Sequence, residues 1–277
     1  MSLKQSEAIV LRTYPLHEAD LLVTLFTRAE GKVKGVARAA KKSKRRFGGA
    51  LEPLTVVRAY YDDREGKELA RLDSCDILES PLSATIDYAR VVALEHVAEM
   101  LDELLPDREA NDAIFRLTVS VLLQLRSGPI WLPLTYFQLW LVRLVGFLPE
   151  LNECLACGAA LNGSRAFYHA LADGLMCAQH KRLASSQLTP KSRALAAQMF
   201  RAPVESFAET PQGAESADDE AHSSHAGESL SGAATGNAIG RNSRGGSPHA
   251  DLRKFLTQII ERHIEKKLVT AVMLARL

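Results

Sequence analysis

The residues best suited to chemistry are three cysteines and a histidine near the middle of the chain. Cys154-x-x-Cys157 is followed, after nineteen residues, by Cys177-x-x-His180. Two pairs of sulfur and nitrogen donors at this spacing predict one tetrahedral Zn2+ per chain. Gly158 after the first pair and Gly174 before the second suit tight turns that aim two side chains at one ion. Four protein ligands leave no open coordination position, so the expected ion is structural rather than catalytic. A nucleobase deaminase would place H-x-E ahead of P-C-x-x-C. Here no proline precedes Cys154, and the H-x-E at His263–Glu265 comes after the cysteines. His169, within the excursion, is a second candidate for the last ligand position. Cys75 stands apart and reads as a small buried side chain in a strand.

The second concentration of chemistry is charge. Lys32, Lys34, Arg38, Lys41, Lys42, Lys44, Arg45 and Arg46 make eight cations with no acid among them, in a chain of 277 residues whose net charge is only +1. Segregated charge of this kind predicts a local polyanion-binding face rather than a uniformly basic protein. Strand alternation over Lys32–Ala39 places Lys32, Lys34, Val36 and Arg38 outward, and Val33, Gly35, Ala37 and Ala39 inward. The lysines and the following KKSKRRFGG loop would then form one continuous positive surface that binds phosphates by counterion release. Phe47 beside Arg45 and Arg46, and Tyr60 near Arg58, are candidates for stacking bases. A solvated charge run that protects an edge strand is the competing reading. There is no Walker A sequence, G-x-G-x-x-G, G-x-S-x-G or H-E-x-x-H, so no nucleotide-hydrolysing or hydrolase site is predicted.

Those two clusters must be positioned by different kinds of element. Residues 1–80 carry five short apolar runs: Glu7–Thr13, Asp20–Thr27, Lys32–Ala39, Leu54–Tyr61 and Lys67–Leu78. Tight polar turns between them predict a five-stranded antiparallel barrel of the OB type, although an SH3-like barrel would give a similar pattern. From 81 the period becomes helical, over Ser83–Leu105, Asn111–Arg126, Leu134–Phe147, Thr189–Phe200 and a long Asp251–Leu277. The fold class is therefore α+β, a barrel followed by a helical domain (81–150, 186–204 and 251–277) that carries the zinc element at 151–185. Residues 205–250, rich in Ser, Gly, Ala and Glu, are predicted to be a disordered insertion. The apolar stretch Leu117–Phe147 is interrupted by Arg126-Ser127-Gly128-Pro129 and does not read as a membrane span. The start, MSLKQSEAIVLRT, has no secretory pattern, and a reducing cytoplasmic setting is expected.

The order of these pieces resembles a known family. EAIVLRTYPLHEADLLVTLFT, then GKVKGVARAAKKSKRRFGGALEP, then C-x-x-C-G…G-L-x-C-x-x-H are similar to the bacterial recombination mediator family RecO. The resemblance runs along the chain except for 205–250. It implies an OB-fold and a zinc-bearing helical domain that bind single- and double-stranded DNA, anneal complementary strands and help load RecA onto strands coated by single-strand-binding protein. It implies RecR and the acidic C-terminal tail of single-strand-binding protein as partners, no covalent chemistry, and a cytoplasmic, nucleoid-associated location. Carried onto this chain, the DNA role falls on Lys32 to Arg46, and the tail groove near Phe137, Trp140 and Arg143, with core packing the first expectation for the two aromatics themselves. His180 stands where many members have cysteine. An OB-fold RNA-binding protein with a structural zinc remains the alternative on residues alone, and a zinc enzyme the third.

Overall fold

In a computed structural model of the chain, which describes residues 3–63, 67–81, 87–207 and 247–277, the first eighty residues close into a barrel. Its strands are β1 (Leu3–Pro15), β2 (Leu21–Thr27), β3 (Gly31–Ala37), β4 (Val56–Asp62) and β5 (Ala70–Glu79). β1 is long enough to serve two neighbours: its first half pairs with β4 and its second with β2, with a register shift between Val10 and Arg12. β2 pairs with β3 and β4 with β5, all antiparallel, and the ring closes through a parallel β3–β5 contact. This order, β1-β2-β3-β5-β4, is that of the OB-fold. Alternation fills the interior with Ala8, Val10, Val23, Leu25, Val33 and Ala37 among others.

The outer face of the same strands has a different occupant. Ile9 and Phe26, directly paired across β1 and β2, belong to the helical domain's core rather than the barrel's. Phe26 meets Phe115 with ring centroids 5.7 Å apart. The barrel and helices are thus fused by a shared apolar contact, rimmed by Arg12–Asp102 at 2.6 Å, Arg28–Asp112 at 2.6 Å and Arg108–Asp63 at 2.6 Å. Gly31 has φ +72°, and a Cβ there would lie 2.0 Å from the Glu109 carbonyl oxygen, so only glycine permits this approach.

The helical domain comprises α2 (Tyr88–Leu104), α3 (Asp112–Gln124), α4 (Trp131–Leu144), α5 (Pro190–Met199), α6 (Pro248–His263) and α7 (Val269–Leu274); α1 (Lys44–Phe47) is a single turn in the barrel. Asp87, Asn111 and Thr189 cap α2, α3 and α5 by accepting from the N–H of the third residue on. Between α4 and α5 lies a three-stranded sheet of order β7-β6-β8, built from β6 (Ala166–Tyr168), β7 (Leu175–Met176) and β8 (Ser186–Leu188). Among the described residues no helix is long and apolar enough to cross a membrane. The stretch expected as an insertion, 205–250, falls outside the described residues except at its ends. There, Val204–Phe207 form a short 3-10 turn and α6 begins at Pro248.

One expected element is two. The long C-terminal helix breaks at Ile264–Leu268, where Glu265 takes φ +55°. The break is stabilised from a distance. Glu99 on α2 is buried and accepts from the N–H of Val269 at 2.9 Å and of Thr270 at 3.0 Å. Its carboxylate caps α7 in the position where a helix N-terminus favours negative charge. The Thr270 hydroxyl also donates to Glu99, and so must accept from His96 Nδ1 at 2.6 Å. That fixes the tautomer: His96 Nε2 carries the lone pair and accepts from the Gln138 amide at 3.0 Å. A buried chain of hydrogen bonds therefore links α2, α4 and α7.

Candidate metal centre and nucleic-acid interface

The metal-ligand residues are brought together by the small sheet. Cys154 and Cys157 lie on the loop after α4, and Cys177 and His180 follow β7 directly. Leu155 N–H donates to the Leu175 carbonyl at 2.7 Å, which holds the two loops against each other. The four donor atoms all lie within 4.8 Å of one another. His180 Nδ1 is 3.2 Å from Cys177 Sγ and 3.9 Å from Cys154 Sγ, spacings that suit ligands around one ion. Burial raises the Cys154 thiol, but N–H groups of Cys177, Ala156 and Cys157 outweigh it and pull it below its ordinary value. Cys177 is lowered in the same way by the N–H groups of His180 and Gln179. Thiolate-favouring backbone donors around a Cys3His set fit a metal ion. His169 is outside the set; its Nδ1 accepts from Leu171 N–H at 3.1 Å. Four protein donors leave no position for a substrate.

Arg193 on α5, which no sequence pattern singled out, ties this element to the helices. Its buried guanidinium donates to the carbonyls of Leu151 at 3.1 Å, Leu161 at 2.5 Å and Ser164 at 2.6 Å. Burial lowers its pKa. On the same side, Arg143 and Arg193 line a cavity of about 340 Å³ with Leu148, Pro149, Ala197 and Phe200. Arg143 stacks over Phe200 at 4.3 Å and Trp140 at 5.2 Å. Phe137 is wholly buried, as core packing requires, and does not line this cavity.

The eight basic residues do not form one surface. Lys32, expected to point outward, is 9% exposed. Its ammonium donates to the Asp102 carbonyl at 2.6 Å and lies 3.4 Å from the Asp107 carboxylate. The reason is the helical domain, which covers this end of the outer face; Arg108 N–H also bonds the Lys32 carbonyl at 2.9 Å. Lys34 remains exposed but pairs with Asp107 at 3.2 Å. Arg46 turns back on the backbone, donating to the Arg38 carbonyl at 2.6 Å and to Ser43 Oγ at 3.1 Å. Arg38, Lys41, Lys42, Lys44 and Arg45 are exposed and form no ion pair among the described residues.

The loop bearing those five is held in place. Ala39 takes φ +54°, turning the chain out of β3, and its N–H is accepted by the Asp20 carboxylate at 2.7 Å. Lys41 N–H bonds the Ala19 carbonyl at 3.1 Å. Asp20 thus anchors the basic loop to the β1–β2 hairpin. Phe47, expected to stack bases, is instead buried in the barrel core, with Arg46 over its ring at 5.1 Å. Tyr60 is half-buried on β4, paired with Gln5 and Ser74. Cys75 is buried as expected, which pushes its thiol up to about 12.

Comparison with known proteins agrees with this architecture. Residues 1–81 match the family model "Recombination protein O N terminal" and residues 86–219 match "Recombination protein O C terminal". The chain is 60% identical over 275 residues to "DNA repair protein RecO" of Koribacter versatilis, covering 99% of each chain. It is 37% identical over 172 residues to the protein of that description from Geobacter sulfurreducens, covering 62% of this chain and 70% of the relative. A similar relation, 37% over 174 residues, holds with that of Anaeromyxobacter sp. strain K, covering 61% and 67%. A barrel, a helical domain and a Cys3His element in this order, matched end to end by such a relative, mean that the chain belongs to the RecO family of DNA repair proteins.

Proposed function

We propose that the chain is a non-enzymatic mediator of DNA repair and homologous recombination. It binds single- and double-stranded DNA, anneals complementary strands and helps load RecA onto strands coated by single-strand-binding protein. The observation that carries this reading is the group of five exposed, unpaired cations from Arg38 to Arg45 on a pinned loop of an OB barrel. Phosphates are held by such groups without sequence preference, and binding weakens linearly in log salt. Lys34 and Arg46 contribute at the margins, and Lys32 acts by holding the helical domain against the barrel. The metal is Zn2+, one per chain, held by Cys154, Cys157, Cys177 and His180 as a brace.

Partners follow from the same reading: RecR, and the acidic tail of single-strand-binding protein. The cavity beside Arg143 is the candidate groove for that tail: this exposed guanidinium lies by an apolar wall of Leu148, Pro149 and Phe200, while Arg193 is committed to backbone carbonyls and Glu150 also lines the space. The nucleoid, in the cytoplasm, is the expected place of action. The deciding experiment is annealing of complementary strands pre-coated with single-strand-binding protein, with and without that protein's acidic tail. Tail-dependent annealing by the wild-type chain, lost when Lys41, Lys42, Lys44 and Arg45 become Glu, is the expected result. Unchanged annealing by that variant overturns the reading. Preference for RNA in competition between the two oligonucleotides would replace DNA by RNA as the ligand.

A further inference from the structure

Resting on the nucleic-acid reading above, we infer that the open end of the β1–β2–β3 face is a base-stacking platform centred on Tyr14, which gives the site its preference for single strands. Pairing registers define the platform. Tyr14 pairs with Leu22, and Leu22 with Val36, so the three side chains form one row across the barrel's outer face. Their strand neighbours Val23 and Ala37 point into the core, which confirms the row's outward side. Two residues along each strand, about 7 Å away, lies the row Arg12–Thr24–Lys34. Beyond that lies Phe26–Lys32, which the helical domain covers. Coverage therefore fades along the face, and the Tyr14 row is where it ends. Tyr14 is 50% exposed, and Leu22 and Val36 are half-buried.

Charge complementarity names the occupant. The row is bounded on one side by Lys34 and on the other by the loop that begins at Arg38, two residues after Val36. The bonds of Ala39 N–H to Asp20 and of Lys41 N–H to the Ala19 carbonyl fix that loop to the hairpin carrying Tyr14 and Leu22. An apolar aromatic strip flanked by exposed cations, Lys34 paired with Asp107 and the loop cations unpaired among the described residues, matches a ligand with flat apolar faces and a polyanionic backbone. A single strand offers both; a duplex hides its base faces and offers only phosphates. Of the two stacking candidates in the sequence, Phe47 has its ring in the barrel core and Tyr60 is half-buried on β4; Tyr14 supplies the exposed aromatic surface instead.

The test compares Tyr14→Ala, Tyr14→Phe and wild-type protein binding to a fluorescent thymidine oligonucleotide and to a duplex, across a salt series. Base stacking predicts that Tyr14→Ala weakens single-strand binding about tenfold, ~1.4 kcal/mol, with duplex affinity within about twofold and the salt slope unchanged. Tyr14→Phe keeps the ring and should bind as wild type. This separates stacking from any role of the phenol oxygen beside its electrostatic neighbour Arg12. An equal loss for duplex and single strand, or a Phe variant as weak as the Ala variant, overturns the inference. Salt-sensitive wild-type binding with an Ala variant indistinguishable from it overturns the inference alone; wild-type protein that binds neither strand overturns the function reading with it. Photocrosslinking of wild-type protein to an iodouridine strand needs no variant to fold. Crosslinks at Tyr14 are expected, and crosslinks confined to other aromatics count against the platform.

Discussion

The two ends of one β-sheet face have been put to opposite uses. At the covered end, Phe26 and Lys32 face the helical domain, and every charge finds a partner. At the open end, Tyr14 and Val36 face solvent, and the cations that follow have none among the described residues. The residues differ little in type. What separates them is whether α2, α3 and the turn at Asp107 reach over them. The covered end should therefore govern stability and the open end binding, with little crossover.

The largest effect should come from the open end. Reversing Lys41, Lys42, Lys44 and Arg45 to Glu should weaken single-strand binding a thousandfold or more at low salt and flatten the salt slope by about 3, at roughly 0.7 per phosphate contact. The melting temperature should barely move, since all four are exposed. Next comes the covered end. Phe26→Ala removes a fully buried ring and should cost about 3–5 kcal/mol in urea denaturation. Its folded fraction should still bind DNA as wild type does; a binding loss of comparable size would dissolve the distinction between the ends.

Acid sharpens the same contrast. Burial lowers the His96 pKa from 6.5 to about 4; Glu99 pulls it up and Arg253 pushes it further down. Between those values the unfolded chain binds the proton and the folded chain does not. Stability from neutral His96 is thus complete above about pH 6.5 and is lost as pH falls toward 4, to the extent of about 2–3 kcal/mol. Denaturation of wild type and His96→Gln at pH 7 and pH 4.5 should show this loss only in wild type. The loop from Arg38 to Arg46 contains no acid and no histidine, so affinity of the folded protein should not follow this window.

The Cys3His cluster was legible because its information is local. Cys-x-x-Cys and Cys-x-x-His are each decided within one turn, and Gly158, at φ +68°, sits where a turn was needed. The barrel strands were legible because alternation is local too; the parallel β3–β5 pairing that closes the ring, against an antiparallel expectation, is a long-range contact that alternation does not encode. The misread features were settled by distant residues. Lys32 looks like any strand lysine until Asp102, 70 positions on, meets it. No proline or glycine marks the break after α6, and the group that stabilises it, Glu99, is 170 positions from Val269. Phe47 follows two arginines, which suggested solvent, but the turn of α1 drives its ring inward. Arg193 offers no pattern, since three backbone carbonyls are invisible in a sequence.

The smallest effects divide two lysines that stand two residues apart. Lys32→Met keeps most of the apolar stem but leaves the Asp102 carbonyl without its donor and takes from Asp107 one of its two ammonium partners, Lys34 remaining. An unsatisfied buried acceptor and a lost charge partner should cost about 2 kcal/mol. Lys34 and Asp107 are both about half-exposed, so Lys34→Ala should change stability by no more than about 0.5 kcal/mol. Binding should show the reverse order. Lys34 borders the Tyr14 row and can release Asp107 for a phosphate, so its loss should weaken single-strand binding by a few-fold and lower the salt slope by up to about 0.7. Lys32→Met should leave both unchanged in folded protein. If it instead weakened binding without lowering stability, the helical domain would not be covering this end in solution, and the outer face would be one continuous surface after all.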